Sequence, residues 1–206
     1  MIRRLYEASL SGSLTSLIEL IEEDQLIPDR VMVTYFNKTP LHIAAMLGHV
    51  EFTKELLRRK PELATEDSRS SSPLHLTSAK GHREMVKDLL SVNPNVCSVT
   101  DHDGRTPLHL AAIKGRIDVM IELIQTLAEV IHMRVDRGES ILNLCLKYNH
   151  LEALELILES ASDQEELLKS KDDDGNTVLH LAAAKKPKVR VNISMSYPTT
   201  HKHLRF

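Results

Sequence analysis

The chain contains no tryptophan, and aromatic residues make up only 3% of its 206 residues. A single globular core usually leans on large rings, so this scarcity points to thin layers of small helices packed by Leu, Ile and Ala. Cysteine is almost as scarce. Cys97 and Cys145 are too few for a disulfide framework, and the start shows no basic segment followed by an apolar run, so a reducing, cytoplasmic setting is expected. No uncharged apolar run reaches the roughly 18 residues that a membrane span requires. The nearest approach, Val119 to Met133, is broken by Glu122 and Glu129. A formal net charge of −3 gives no general attraction to nucleic acid, and none is expected as a partner. HExxH, GxSxG and a phosphate-binding loop are all missing, as is a cysteine paired with a histidine on a plausible cleft. No enzyme activity and no cofactor are expected.

What the chain does contain is a repeat. Leu108 has counterparts at Leu5, Leu41, Leu74, Leu142 and Leu179, at successive offsets of 36, 33, 34, 34 and 37 residues. Seven residues beyond each leucine stand Gly12, Gly48, Gly81, Gly115, then Asn149 and Lys186. Such regular spacing implies stacked units that share one core, and hence one architectural domain.

The clearest copy, Thr106 to Gly115 (TPLHLAAIKG), explains the unit. Thr106 is suited to cap a helix by accepting from a free backbone N–H, and Pro107 fits the next position because it has no N–H to satisfy. Leu108, Leu110, Ala111 and Ala112 supply an apolar face with room for close approach. Gly115 ends the helix, because glycine takes the left-handed conformation without steric cost. Ile117, Met120, Ile121, Leu123 and Ile124 then predict a second helix with a broad buried face. Upstream, Asp101 to Gly104 reads as a turn.

Copies at Thr39 to Gly48 and Ser72 to Gly81 are close, whereas Ser140 to Asn149 (SILNLCLKYN) diverges, with Leu146 where alanine is usual. A local packing adjustment is expected there. The units fall near 1–33, 34–66, 67–100, 101–134 and 135–171, with a partial sixth at 172–186. In the first, Arg3, Arg4, Tyr6, Glu7 and Ser9 predict an N-terminal cap with a wet outer face. Glu22 to Val33 reads as a longer connection containing Pro28. The second rear helix is expected from Val50 to Arg59, ending before Pro61, with Arg58, Arg59 and Lys60 as solvated charges at its C-terminus. The third unit has its turn at Asp67 to Ser71 and a helical stripe of Met85, Val86, Leu89 and Leu90. The fourth rear helix is expected to continue toward Met133. The fifth runs from Leu151 to about Ser160, followed by an acidic stretch with Asp163, Glu165 and Glu166. Residues 187–206 read as an irregular basic tail: from Gly175 onward there are six Lys or Arg and no Asp or Glu.

His42, His75, His109 and His180 share one repeat position. Helices stack about 8–10 Å apart, too far for four rings to meet at bonds of about 2 Å to one metal ion. Hydrogen bonds to neighbouring backbone are expected instead. Asp172 to Gly175 has a calcium-loop flavour, but alignment on Gly175 puts Leu181 where a closing glutamate is needed. Asn192-Ile193-Ser194 is a glycosylation sequon with no role in a cytosolic chain. Cys145 replaces a core alanine, and Cys97 is expected to be half-buried and unreactive.

T-P-L-H-x-A-A followed by Gly resembles the ankyrin repeat, over roughly residues 1 to 186. The resemblance implies an all-α solenoid of stacked helix-turn-helix units with short hairpin turns, acting as a protein-interaction scaffold without catalysis. The opening RRLYEASLSGSLTSLIELIEEDQLI, the segment PLHIAAMLGH and Asn93-Pro94-Asn95 look like the plant ankyrin proteins related to the accelerated-cell-death group. That likeness implies a signalling adaptor in defence or stress responses, with repeats at the cytosolic face of a membrane. The family's transmembrane region has no counterpart here, which raises the expectation of a shortened or alternatively ended product.

Motif residues in such a stack are used for packing, so partner contacts fall on variable positions. The hairpin tips offer Asn37, Lys38, Arg69, His102, Asp103, Arg105, Arg137 and Glu139, together with Asp173 and Asn176. The front helices offer Met46, Leu47, Lys80, Lys114, Lys147, Tyr148 and Lys185. Lys80, Lys114 and Lys185 share a column, with Lys147 one position earlier, and predict a positive concave stripe for an acidic segment of a protein partner. A monomer is expected. The alternative is a membrane-surface or nucleic-acid binder that uses the basic C-terminal tail.

Overall fold

The computed structural model describes residues 1–30, 38–65 and 71–185. All regular structure among them is helical, apart from a single bridge between Lys171 and Thr177. Helices come in antiparallel pairs. The front members are α1 (Ile2–Ser11), α4 (Pro40–Leu47), α6 (Pro73–Lys80), α8 (Pro107–Ile113), α10 (Ile141–Lys147) and α13 (Val178–Ala184). The rear members are α2 (Leu14–Glu23), α5 (Val50–Arg59), α7 (Arg83–Val92), α9 (Ile117–Thr126) and α11 (Leu151–Ser160). Two short helices, α3 (Ile27–Arg30) and α12 (Gln164–Lys169), lie in connections. Each front helix packs on the next, from α1 through α4, α6, α8 and α10 to α13, and the rear helices pack in the same sequence from α2 to α11. The result is two layers sharing one continuous interior.

Repeat leucines Leu5, Leu41, Leu74, Leu108 and Leu142 are completely buried in that interior. Small residues let the layers close: Ala44, Ala45, Ala111 and Ala112 are also fully buried. Leu146 is accommodated in the same core at 2% exposure.

Every rear helix is ten residues long. In the second pair Pro61 follows the break, as the sequence predicts, and in the third Pro94 does the same. The fourth has no proline, and the expected run toward Met133 does not occur. Its helix stops at Thr126, Leu127 turns extended (φ −150°, ψ 95°) and a 3₁₀ turn covers Ala128–His132. Asn93 has nearly the same backbone angles (φ −151°, ψ 102°). The cause is burial: the turn seats Val130 and Ile131 in the stack, as Pro94–Ser98 seats Val96 and Cys97.

Three other expectations change. Ser9 is not on a wet outer face; it is fully buried, and its hydroxyl donates to the Tyr6 carbonyl at 2.7 Å. Tyr6 turns toward the next unit and donates to the Lys38 carbonyl at 2.8 Å. Arg58, Arg59 and Lys60 are paired rather than simply solvated. Both arginines bond Glu55, at 2.7 and 2.9 Å, and hold its carboxyl down at about 2, while Lys60 reaches Asp29 from the preceding connection. Within that connection Pro28 sits in the helical turn α3. The acidic stretch after α11 forms α12, which buries Leu167 and Leu168.

Candidate functional site

The front layer is built by caps. Thr39, Thr106 and Thr177 accept from the backbone N–H of the histidine three residues on, and those histidines return the bond: Nδ1 accepts from the cap residue's own N–H, at 3.3, 3.0 and 3.2 Å. His75 Nδ1 likewise accepts from the Ser72 N–H, at 3.1 Å, while the His75 N–H donates to the Ser72 carbonyl at 3.0 Å. With Nδ1 accepting, the ring hydrogen lies on Nε2. In His42, His75 and His109 that Nε2–H donates to the carbonyls of Ser71, Arg105 and Met133, each at 3.0 Å. His42 and His75 therefore join their units to the next, and His109 ties α8 to the connection that follows α9. Burial holds the His109 imidazole down at about 4, so it is neutral at physiological pH.

The last two units depart from this scheme. Asn143 stands at the histidine position, and its buried amide has no hydrogen-bond partner among the described residues. His180 caps Thr177 but is exposed.

A second set of stitches was not anticipated from the sequence. His49, His82, Arg116 and His150, which follow the helix-ending Gly or Asn, reach back under the preceding unit, and among the described residues all but His82 make a hydrogen bond there. Nε2 of His49 donates to the Leu10 carbonyl at 3.1 Å, Nε of Arg116 to that of Ala79 at 3.4 Å, and Nε2 of His150 to that of Ile113 at 3.0 Å. Gly48 thus has two reasons to be glycine. Its φ is +86°, and a Cβ there would lie 2.8 Å from the His82 ring. The signal was the recurrent Gly-His or Asn-His at 48–49, 81–82 and 149–150. Asn149 adopts φ +61° without being glycine.

Hairpin tips stack as well. The Asp136 N–H donates to the Asp103 carbonyl at 3.2 Å, and the Asp173 N–H to that of Arg137 at 3.3 Å. Asp101 Oδ1 accepts from the N–H groups of Asp103 and Arg105, at 3.0 and 2.8 Å, and Asp172 Oδ1 from that of Asn176 at 2.7 Å. Asp172 to Gly175 is therefore a hairpin turn closed by its own backbone. His102 joins Asp101 and Asp103 with ligand atoms within 4.8 Å, but Asp103 already pairs with Arg105 at 2.7 Å. Burial raises the Cys97 and Cys145 thiols to about 11 and 12. Cys97 is 1% exposed rather than half-buried, because it packs within the 3₁₀ turn.

Of the residues nominated for partner contact, Asn37 and Arg69 lie outside the described residues, as do most of the 67–71 turn, Lys186, the sequon and the tail. Lys38 is exposed, with its amine 3.7 Å from the Met46 sulfur. Met46 is half-buried, Arg137 is exposed, and His102 lies 3.4 Å from Asp103. Two members of the lysine group are occupied. Lys147 pairs with Glu139 at 2.9 Å. Lys185 departs from the expected column: its amine donates to the Leu146 and Lys147 carbonyls, closing the C-terminal end of α10. Lys80 and Lys114 are exposed and have no carboxylate partner among the described residues.

These two lysines belong to a longer column. Leu47, Lys80, Lys114 and Tyr148 each immediately precede the helix-ending Gly or Asn, and Leu47 and Tyr148 are 45% and 44% exposed. One helical turn earlier stand Ile43, Leu76 and Leu110, all half-buried, and then Leu144, which is buried. Spacing of i to i+4 puts each pair on one helix side. The result is an apolar floor beside a row of exposed heads.

Residues 5–99 and 74–166 match the family model for ankyrin repeats (3 copies). No curated protein matches the chain. Among the described residues, no helix is long and apolar enough to cross a membrane.

Proposed function

Because the chain belongs to the ankyrin-repeat family, whose repeats are protein-protein interaction modules, we propose that it is an adaptor that holds a segment of a partner protein along its front helices and hairpin tips. The repeat domain is taken as residues 1–186, with 187–206 as a separate tail. The observation that carries this reading is a division of labour. The motif leucines from Leu5 to Leu142, the alanines Ala44, Ala45, Ala111 and Ala112, and Thr106, His42, His75 and His109 are buried in stacking, whereas the intervening front-helix positions leave Leu47, Lys80, Lys114 and Tyr148 exposed beside an apolar floor. Met46, Lys38 and the tips around Asp103, Arg105, Arg137 and Glu139 form its margins. The finer reading, an adaptor in plant defence or stress signalling at the cytosolic side of a membrane, rests on the likeness of the opening segment, PLHIAAMLGH and Asn93-Pro94-Asn95.

The test is a library of random displayed peptides panned on the intact chain. Binders are expected to lose affinity for a Leu47→Ala, Tyr148→Ala variant and to keep it for Lys87→Glu on the rear layer. Binders indifferent to the front-layer changes would refute the reading.

A further inference from the structure

The geometry points to the chemistry of that partner segment: a stretch in the polyproline II conformation with two acidic residues about three apart, flanked at the same spacing by large apolar residues. This rests on the front-face reading and sharpens it.

Charge comes first. At the tips Asp103 pairs with Arg105 at 2.7 Å and Glu139 with Lys147 at 2.9 Å. Lys185 is tied to backbone carbonyls. What is left on the column is Lys80 and Lys114, and a third cation stands beside them. Arg116 fills the space beneath Gly81, with its Cδ 2.9 Å from where a Cβ would be, and its exposed guanidinium has no carboxylate partner among the described residues. The corresponding residues in other units are His49, His82 and His150 rather than Lys or Arg. Permanent positive charge is therefore concentrated at the middle of the column. Its ends, Leu47 and Tyr148, are exposed and apolar-bodied.

Spacing follows from the stack. Neighbouring front helices lie about 8–10 Å apart, and a polyproline II chain advances about 3.1 Å per residue with about three residues per turn, so one unit corresponds to one turn, roughly three residues of ligand. Four column positions therefore read about ten residues, as apolar, acid, acid, apolar at every third place on one side of the ligand. The pattern is the same in either chain direction.

Synthetic peptides measured against the intact chain by fluorescence anisotropy test this. A ten-residue peptide with Leu at both ends and Glu at the two intervening third positions is expected to bind. It should weaken about tenfold or more when the glutamates become glutamines, and by a similar factor against Lys80→Glu, Lys114→Glu, because like charges then face each other. Moving each glutamate by one residue should also weaken it, since at about three residues per turn that rotates the side chain a third of a turn away from the column. Circular dichroism of the variant should match wild type, because both lysines are exposed. Front-face binders from the displayed library that lack paired acids at this spacing, or equal affinity for the glutamine peptide, would overturn the inference and leave the front-face reading standing. A library with no front-face binders would overturn both.

Discussion

Units joined by histidine and units that lack the joint are built on one pattern yet are held together differently. Between α4, α6 and α8, each buried His42, His75 or His109 closes a cap within its own helix and donates to backbone beyond it. In α10 the short Asn143 side chain occupies that position with both amide atoms buried and unpartnered among the described residues, and in α13 His180 is exposed. The comparison shows that one side chain per unit converts local helix capping into long-range order. Where it changes, the stack relies on substitutes such as Lys185 closing the end of α10.

The largest expected effect that tests this contrast is acid sensitivity. His109 is held at about 4 against an ordinary 6.5, so below pH 6.5 the unfolded chain takes up a proton that the folded chain refuses. Stability contributed by the neutral ring is complete above pH 6.5 and is lost as pH falls toward 4, by about 3 kcal/mol at the limit. Urea unfolding between pH 7 and pH 4.5 should show this fall, and His109→Gln should flatten it while lowering stability at pH 7. An unchanged slope in that variant would remove His109 as the cause.

Next in size is repair of the weak joint. Asn143→His should restore a bond to the 170–177 hairpin and relieve a buried unpaired amide, for a gain of about 1–2 kcal/mol. Hydrogen exchange of α10 and α13 amides is the appropriate measurement, since units in a stack open separately. Slower exchange in α13 is the expected result, and faster exchange would mean the ring does not fit. The smallest effect concerns Asn149, which takes φ +61° where the inner units have glycine. Asn149→Gly is expected to raise stability by a few tenths to about 1 kcal/mol. A loss would show that the asparagine side chain contributes more than the backbone strain costs.

Much of this was legible in the chain. Thr39, Thr106 and Thr177 announced helix starts, the recurrent glycines announced helix ends, and the leucine period announced the stack. The candidate face was legible only in outline. Lys80 and Lys114 could be nominated from their repeat position, but nothing in the string separated them from Lys147 and Lys185, which the fold occupies. Arg116 was overlooked because its position reads as the start of a rear helix, and its reach beneath Gly81 becomes apparent only once the units are stacked. Ser9 read as a cap-surface residue because the pattern does not reveal that its hydroxyl is satisfied by its own helix.

Cap, turn and period are interactions within a few residues, and the sequence alone determined them: where front helices begin, that helices pair, and that the pairs repeat. Tertiary structure decided where α9 stops, which histidines are sealed, and which cations stay free for a partner. Those outcomes depend on side chains and carbonyls some 24 to 39 residues away along the chain, such as His109 on Met133 and Lys185 on Leu146. Only stacking brings such groups within hydrogen-bonding distance.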